Sequence, residues 1–563
     1  MKVTSPLLAA IAATLVISTL DAQVTEHAIP RLVQKDGRFA LFVDDAPFLI
    51  LGIEDQDLGL ETTWPAHAKE WTAMEYLHAN TIEIPIYWDL IEKQPGQFDF
   101  SSIDSLLAEA RQHNVRLVLL WFATWKNGSQ HYMPEWMLSD PARYFHAVDR
   151  NGQAVDSPSP FATASLEADK KAFAAVMGHL KEADPQRTVL MVQVENETGN
   201  WNSVRDFSPA AQKVFEAPVP PEILKAMNVK AGSASPNWQQ AFGPDADEYF
   251  NAWATARYVG QVAAAGKAVY PLPMDANAAL RNPFNPGAPG EPGSPAAYES
   301  GGPTDNVIPI WKAAAPAIDI LAPDDYQGDP AAYVKVLELY RRNDNPLFLP
   351  ESGCYMCDPA TGDFTRYFFT IVGLGAIGDS ESSTEPVPYL ARNFVMVGPM
   401  QREIARLSFE GKLKAAAEPL HFKGSDQGDP RQRLPFGNWN AAVTWGSGQY
   451  GPAAANPRSQ GRVLVAQLGD NQFLVAGYFC TVDFFPAGTG QQRASQHIVE
   501  GTGQIPSALI DGKWQHRQFL RVEQGVYENG VFKLIRSQNG DATDYGLKFG
   551  EEPVVLRVTL ATY

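Results

Sequence analysis

The chain has 563 residues, 45% of them hydrophobic and 19% charged, which excludes a disordered polyelectrolyte and leaves room for one large domain or several smaller ones. Its 45 Lys and Arg stand against 64 Asp and Glu, a formal charge of −19 whose field repels phosphate backbones and argues against a nucleic-acid partner. Aromatic residues reach 11%, with 13 Trp, a supply of flat apolar surfaces that suits sugar rings among many other ligands.

Residues 1–22 read as a secretory signal peptide: Lys2 supplies the positive start, Leu7 to Leu20 the apolar run, and Ala22 the small residue at the cut. The run is shorter than a membrane span, so the mature chain is expected to be secreted or periplasmic and not held in a membrane. Cleavage removes Lys2 and Asp21 together and leaves the charge unchanged. With only three cysteines, Cys354, Cys357 and Cys480, a disulfide framework is excluded. Cys354 and Cys357 form a C-x-x-C without a second such pair or a nearby His pair, which favours a local disulfide or two thiols over zinc.

After the leader, residues 37–54 predict two short strands around a turn at Asp44-Asp45, the second of them apolar throughout. Apolar runs of the same kind recur at 80–88, 115–122, 187–194, 267–274, 317–323, 346–350 and 371–378. Fully apolar strands belong to parallel sheets covered on both faces. Helical patterns lie between them, at 66–79, 103–114, 166–183, 247–266 and 331–343. Eight strands alternating with helices predict an α/β fold, a (β/α)8 TIM barrel over residues 23–415, with a doubly wound open sheet as the alternative topology. Two interruptions, 200–246 after the fourth strand and the Pro/Gly-rich 282–303 after the fifth, would lie on the face where barrel strands end. Beyond residue 416, short alternating strands and an Asn529-Gly530 turn predict a C-terminal β-sandwich or jelly roll over 416–563.

Zinc-protease, serine-esterase and phosphate-loop motifs are missing from the sequence. Gly373 to Gly378 satisfies G-x-G-x-x-G, yet DSESSTEP follows it instead of an opening helix, so close packing of a last barrel strand explains the glycines better than a dinucleotide does. The stronger signal is a pair of carboxylates at strand ends, Glu197 after TVLMVQV and Glu351 after LFLP. In a barrel the fourth and seventh strands end at one mouth, so the two can face each other. Glycosidic bond cleavage requires two such groups, one protonated to donate to the leaving oxygen and one ionised to meet the anomeric centre.

The segment LMVQVENETG resembles the acid/base segment of glycoside hydrolase family 35, a β-galactosidase family of the retaining (β/α)8 clan. NTIEIPIYWDLIEKQPGQFDFSS resembles that family's second-strand signature, RLVLLWFATWKNG with MPEWML its third strand and following loop, and LAPDDY its sixth strand. The resemblance covers roughly residues 37–400. It implies Glu197 as general acid/base, Glu351 as nucleophile, Asn196 as the ligand of a sugar 2-hydroxyl, and Tyr326 as a donor that keeps the nucleophile ionised. It further implies Trp88, Trp121 and Trp125 as walls of the sugar pocket, with Lys126 and Asn127 as hydroxyl ligands. The family's second strand carries Tyr-Val-Pro before its Trp where this chain has Pro85-Ile86-Tyr87, so the sugar is not fixed by the motifs.

The function expected is a retaining exo-β-glycosidase, β-galactosidase first, working on oligosaccharides without a metal or organic cofactor. A β-glucosidase or transglycosylase of the same clan, a family 42-like enzyme, or a catalytically inactive carbohydrate-binding protein are the alternatives. A homo-oligomer is compatible with the sequence. Asn127-Gly128-Ser129 and Asn196-Glu197-Thr198 match the N-glycosylation pattern, but the second would occupy the proposed site, so the match is read as chance.

Overall fold

A computed structural model describes residues 27–55, 68–230, 235–284, 298–353, 364–382, 387–419, 431–445, 460–487, 495–499, 503–510, 512–538, 540–543 and 545–563. The predicted leader and the Cys354/Cys357 pair lie outside these residues; Cys480 is a buried free thiol. Among the described residues no helix is long and apolar enough to cross a membrane.

Eight parallel strands close a barrel: β1 (Ile50–Glu54), β2 (Thr81–Tyr87), β3 (Arg116–Lys126), β4 (Val189–Asn196), β5 (Met274–Ala279), β6 (Ile320–Asp325), β7 (Leu349–Ser352) and β8 (Gly378–Glu381). The ring closes where β8 pairs with β1, Gly378 opposite Ile50 and Glu381 opposite Ile53. A glycine is needed at that seam, because a Cβ on Gly378 would stand 2.3 Å from the Ile50 Cβ. The barrel is therefore the topology, and the open doubly wound sheet is excluded.

Strand parity sorts the side chains into two layers. Along β3, Val118, Leu120 and Phe122 join Ile50, Leu190, Ile320 and Phe348 in one apolar cluster inside the barrel. Leu117, Leu119, Trp121, Ala123 and Trp125 face the other way and pack with the surrounding helices, among them Thr163–Ala183 and Ala246–Val269. This is the period-2 alternation of a strand covered on both faces.

Two of the predicted strands are displaced. The fifth, expected at 267–274, begins inside the Ala-rich helix Ala246–Val269, which carries on until Tyr270 and two prolines break it; the strand itself is Met274–Ala279. The eighth, expected at 371–378, begins in the last turn of the buried helix Tyr367–Gly373 and runs through the turn after it, and the strand is Gly378–Glu381. Of the glycines in the decoy motif, Gly373 ends that helix, Gly375 turns the chain at φ 85°, and only Gly378 lies in the barrel. Both true strands are short and carry Asp, Asn, Ser and Glu, so neither shows the apolar run that marks the other six.

Behind the barrel two antiparallel sheets form a sandwich. The larger runs Leu413–Ala417, Arg462–Gly469, Gln472–Tyr478, Val554–Thr562, Lys513–Glu528, Gly503–Ile510, Ser495–Val499 in spatial order, and the smaller Arg431–Phe436, Trp439–Trp445, Cys480–Pro486, Leu547–Phe549. Val463, Val465, Phe473 and Val475 meet Ala441, Val443 and Phe484 between the sheets. The alternate residues Leu464, Ala466, Leu474 and Ala476 are buried in the barrel's own core, so the larger sheet is apolar on both faces and fastens the sandwich to the barrel.

Candidate active site

Glu197 and Glu351 end β4 and β7 at the same mouth, and Asp324 on β6 stands with them: one carboxylate oxygen from each of the three lies within 4.8 Å of the others. Glu351 and Asp324 are buried, Glu197 half-buried and open to the mouth. The turn that presents Glu197 is unusual, since Glu195 and Glu197 both adopt positive φ, 67° and 42°, on either side of Asn196. Non-glycine residues hold such angles only where the surroundings fix them. Here the Glu197 N–H donates to Asn277 Oδ1 at 2.8 Å, and the Glu197 carbonyl accepts from the Gly128 N–H at 3.0 Å.

Asn277 ties the cluster together. Besides accepting from Glu197, its amide nitrogen donates to Asp324 Oδ2 at 2.8 Å and to Glu351 Oε1 at 3.1 Å. The Tyr326 hydroxyl donates to Glu351 Oε2 at 2.9 Å, so both nucleophile-candidate oxygens are held by neutral donors. Asn196 is fully buried between Asn127, 3.0 Å away, and the Lys126 ammonium at 3.1 Å.

The electrostatics divide the carboxyl groups. Burial and then the charge of Glu351 push Glu197 up to about 7, against the pull of Lys126. Asp324 is raised well above the ordinary carboxylate range by burial and then by its neighbours Glu351 and Glu197. A carboxyl driven toward its acid form beside a second carboxyl whose two oxygens both accept hydrogen bonds is the pattern an acid/base and nucleophile pair needs.

The tryptophans do not line the pocket. Trp88, Trp121 and Trp125 have no exposed surface. Trp121 and Trp125 sit on the helix-facing side of β3, where the Trp121 indole donates to Asp169 at 3.0 Å and the Trp125 main-chain N–H donates to Glu195 Oε2 at 2.7 Å. Burial and then the Asp169 charge push Glu195 well up, and its carboxyl, held by the Trp125 main chain, anchors the end of β4 from outside. Trp88 opens the short helix after β2 and donates to Glu92 at 2.7 Å. All three are packing residues, and the expected sugar walls are corrected accordingly. Lys126, one position past Trp125, has the opposite parity and reaches the site.

Three groups at the mouth have no strong local signal in the sequence. Asn277 lies in the misplaced fifth strand; Asp324 belongs to the LAPDDY segment, where only the neighbouring Tyr326 is singled out by the resemblance; Glu299 comes from the Pro/Gly-rich loop. A polar residue alternating with alanines in a fully buried strand, as in MDANAA, is the signal that could have exposed Asn277.

A closed eight-stranded barrel with two strand-end carboxylates in contact range at its mouth is an arrangement that can carry glycosidic bond cleavage. Residues 61–268 match the family 42 model described as Beta-galactosidase, a different family of the same clan from the family 35 that the motifs resemble. Residues 390–550 match a model described as a domain of unknown function, DUF5597. No curated protein matches the chain. Among solved structures, the chain is similar to the catalytic domain of beta-amylase from Paenibacillus polymyxa at 14% identity and TM-score 0.44, over 59% of this chain and 92% of that one. It is similar to the beta-galactosidase of the psychrophilic Marinomonas ef1 at 12% identity and TM-score 0.45, over 63% and 61%, and to that of Bacillus circulans sp. alkalophilus at 14% and 0.43, over 60% and 50%. The chain thus spans between half and about three fifths of the length of these two beta-galactosidases.

Proposed function

We propose that the protein is a retaining exo-β-glycosidase with β-galactosides as its substrates. The observation that carries this reading is the contact-range pair Glu197 and Glu351, with Tyr326 and Asn277 donating to Glu351. Oxygens within 4.8 Å suit the roughly 5 to 5.5 Å separation of retaining enzymes, and leave no room for the water that inverting enzymes hold between carboxyls roughly 6.5 to 9.5 Å apart. Glu351 attacks the anomeric carbon as the C–O bond to the aglycone breaks, and Glu197 gives its proton to the departing oxygen. Glu197, now ionised, takes a proton from water, and that water displaces Glu351 with a second inversion. Formation of the glycosyl ester removes the Glu351 charge, which is what lets the Glu197 pKa fall between the two steps. Asn196 supplies the contact to the 2-hydroxyl that strengthens in the transition state.

Initial rates on p-nitrophenyl β-galactoside, β-glucoside, β-fucoside and α-arabinoside, with the first-formed anomer followed by proton NMR, test the reading. The β-galactoside is expected to react fastest and to release β-galactose; an α-anomer would remove the retaining mechanism, and silence across the panel and on β-linked oligosaccharides as well would remove the glycosidase.

The acid role carries its own pH signature. Because Glu197 must be protonated to donate and titrates at about 7, kcat/KM should fall tenfold per pH unit above about 7. Lys126 holds that value down, so Lys126→Met should move the alkaline limb to higher pH; a limb that moves lower would exclude Glu197 as its source.

A further inference from the structure

Glu299 enters the mouth from the loop that follows β5 and is only 2% exposed. Trp201 is the donor beside its carboxylate, but the indole N–H is directed to the Asn127 carbonyl, and by distance and angle neither Glu299 oxygen has a hydrogen-bond partner among the described residues. Burying such a group without donors is costly, and native proteins keep one in that state where water or a ligand completes it. Its surroundings belong to the site: after burial itself, the Glu197 charge acts on it most strongly, then Trp201 and Lys126, and Glu351 least.

Trp201 comes from the other insertion, the one after β4, and is 40% exposed. Its indole N–H donates to the Asn127 carbonyl at 3.1 Å, which fixes the ring while leaving part of it open. Gly128 lies between the two residues, and a Cβ there would stand 3.3 Å from Glu299 Oε1 and 2.6 Å from Trp201 Cδ1. The insertions are joined directly, Asn200 and Ser300 exchanging main-chain hydrogen bonds at 2.9 and 3.2 Å. Two loops far apart in sequence therefore build one wall, a buried carboxyl beside a fixed and partly exposed aromatic ring. That combination, hydrogen-bonding groups next to a flat apolar face, is the chemistry that recognises a sugar.

We propose that Glu299 and Trp201 form the leaving-group subsite, where Glu299 exchanges hydrogen bonds with hydroxyls of a sugar aglycone and Trp201 packs against its ring. The assignment rests on the glycosidase reading, because the side of the acid/base residue is the side on which the aglycone departs. Gly128, whose N–H donates to the Glu197 carbonyl at 3.0 Å, lies against both Glu299 and Trp201, which sets this wall beside the end of β4 that carries Glu197. The substrate class that follows is an oligosaccharide whose second unit is itself a sugar, in preference to alkyl or aryl β-glycosides.

The test compares kcat/KM on lactose and on p-nitrophenyl β-galactoside for the wild type, Glu299→Ala and Trp201→Ala. The lactose to aryl-galactoside ratio should fall about tenfold to a hundredfold in Glu299→Ala, the range for losing a hydrogen bond to a buried ionisable group, and less steeply in Trp201→Ala. Equal losses on both substrates, or an unchanged ratio, would overturn the subsite. Calorimetric titration of lactose into Glu351→Gln and into the double variant with Glu299→Ala needs no turnover: binding that weakens in the double variant supports the subsite, and equal binding overturns it. A wild type that binds lactose through Glu299 but cleaves neither probe would count against the glycosidase reading and not against the subsite.

Discussion

Glu351→Gln is expected to lower kcat/KM by about 10⁴-fold or more on every β-glycoside, the scale of loss when a covalent nucleophile is removed. The substitution keeps the shape of the side chain and exchanges a charged acceptor for a neutral amide. Tyr326 can turn its hydroxyl to accept where it formerly donated, and Asn277 retains Asp324 and the Glu197 main chain, so the mouth keeps its form. A thermal melt within a few degrees of the wild type should accompany the lost activity. Turnover within tenfold of the wild type would remove Glu351 from the nucleophile role, whatever the fold had done. The same variant reports on its partner: without the Glu351 charge the Glu197 carboxyl should titrate below about 7, a shift that carboxyl-carbon NMR can follow.

For Glu197→Ala the expected loss depends on the leaving group. Substrates with poor leaving groups, sugars among them, should lose about 10²- to 10⁴-fold, the usual contribution of a positioned general acid. A dinitrophenyl β-galactoside departs without a proton, so its first step survives while water attacks the glycosyl-enzyme slowly for want of a base, and an initial burst should appear. Azide, a nucleophile that needs no base, should restore turnover and yield the β-galactosyl azide. A uniform loss across leaving groups, with no burst and no azide effect, would mean that Glu197 serves only to hold the mouth together. The structure gives reason to separate the two roles, since the Glu197 main chain is held by Asn277 and Gly128 independently of its carboxyl.

Asp324 complicates any simple two-carboxyl picture. It lies within the same 4.8 Å as the pair and is pushed well above the ordinary range by burial and by both partners. In its acid form it adds no third negative charge to a crowded mouth.

The sequence by itself determined the class of fold, six of the eight barrel strands to within a few residues, and the two strand-end glutamates. Each of these rests on local chemistry: a buried strand must be apolar along its length, and a carboxylate directly after such a strand is placed at its end. Local chemistry could not place β5 and β8, because their buried side chains are polar and their partners lie on other strands. Nor could it decide which tryptophans face the pocket, although the parity of β3 separates Trp121 and Trp125 from Lys126 once the inner and outer layers are known. Tertiary structure alone brought Asn277, Asp324 and Glu299 to Glu197 and Glu351. Hydrogen bonds and charge interactions between β4, β5, β6 and β7 depend on barrel closure and register, and those are settled by strands pairing across the whole chain rather than by any one segment of it.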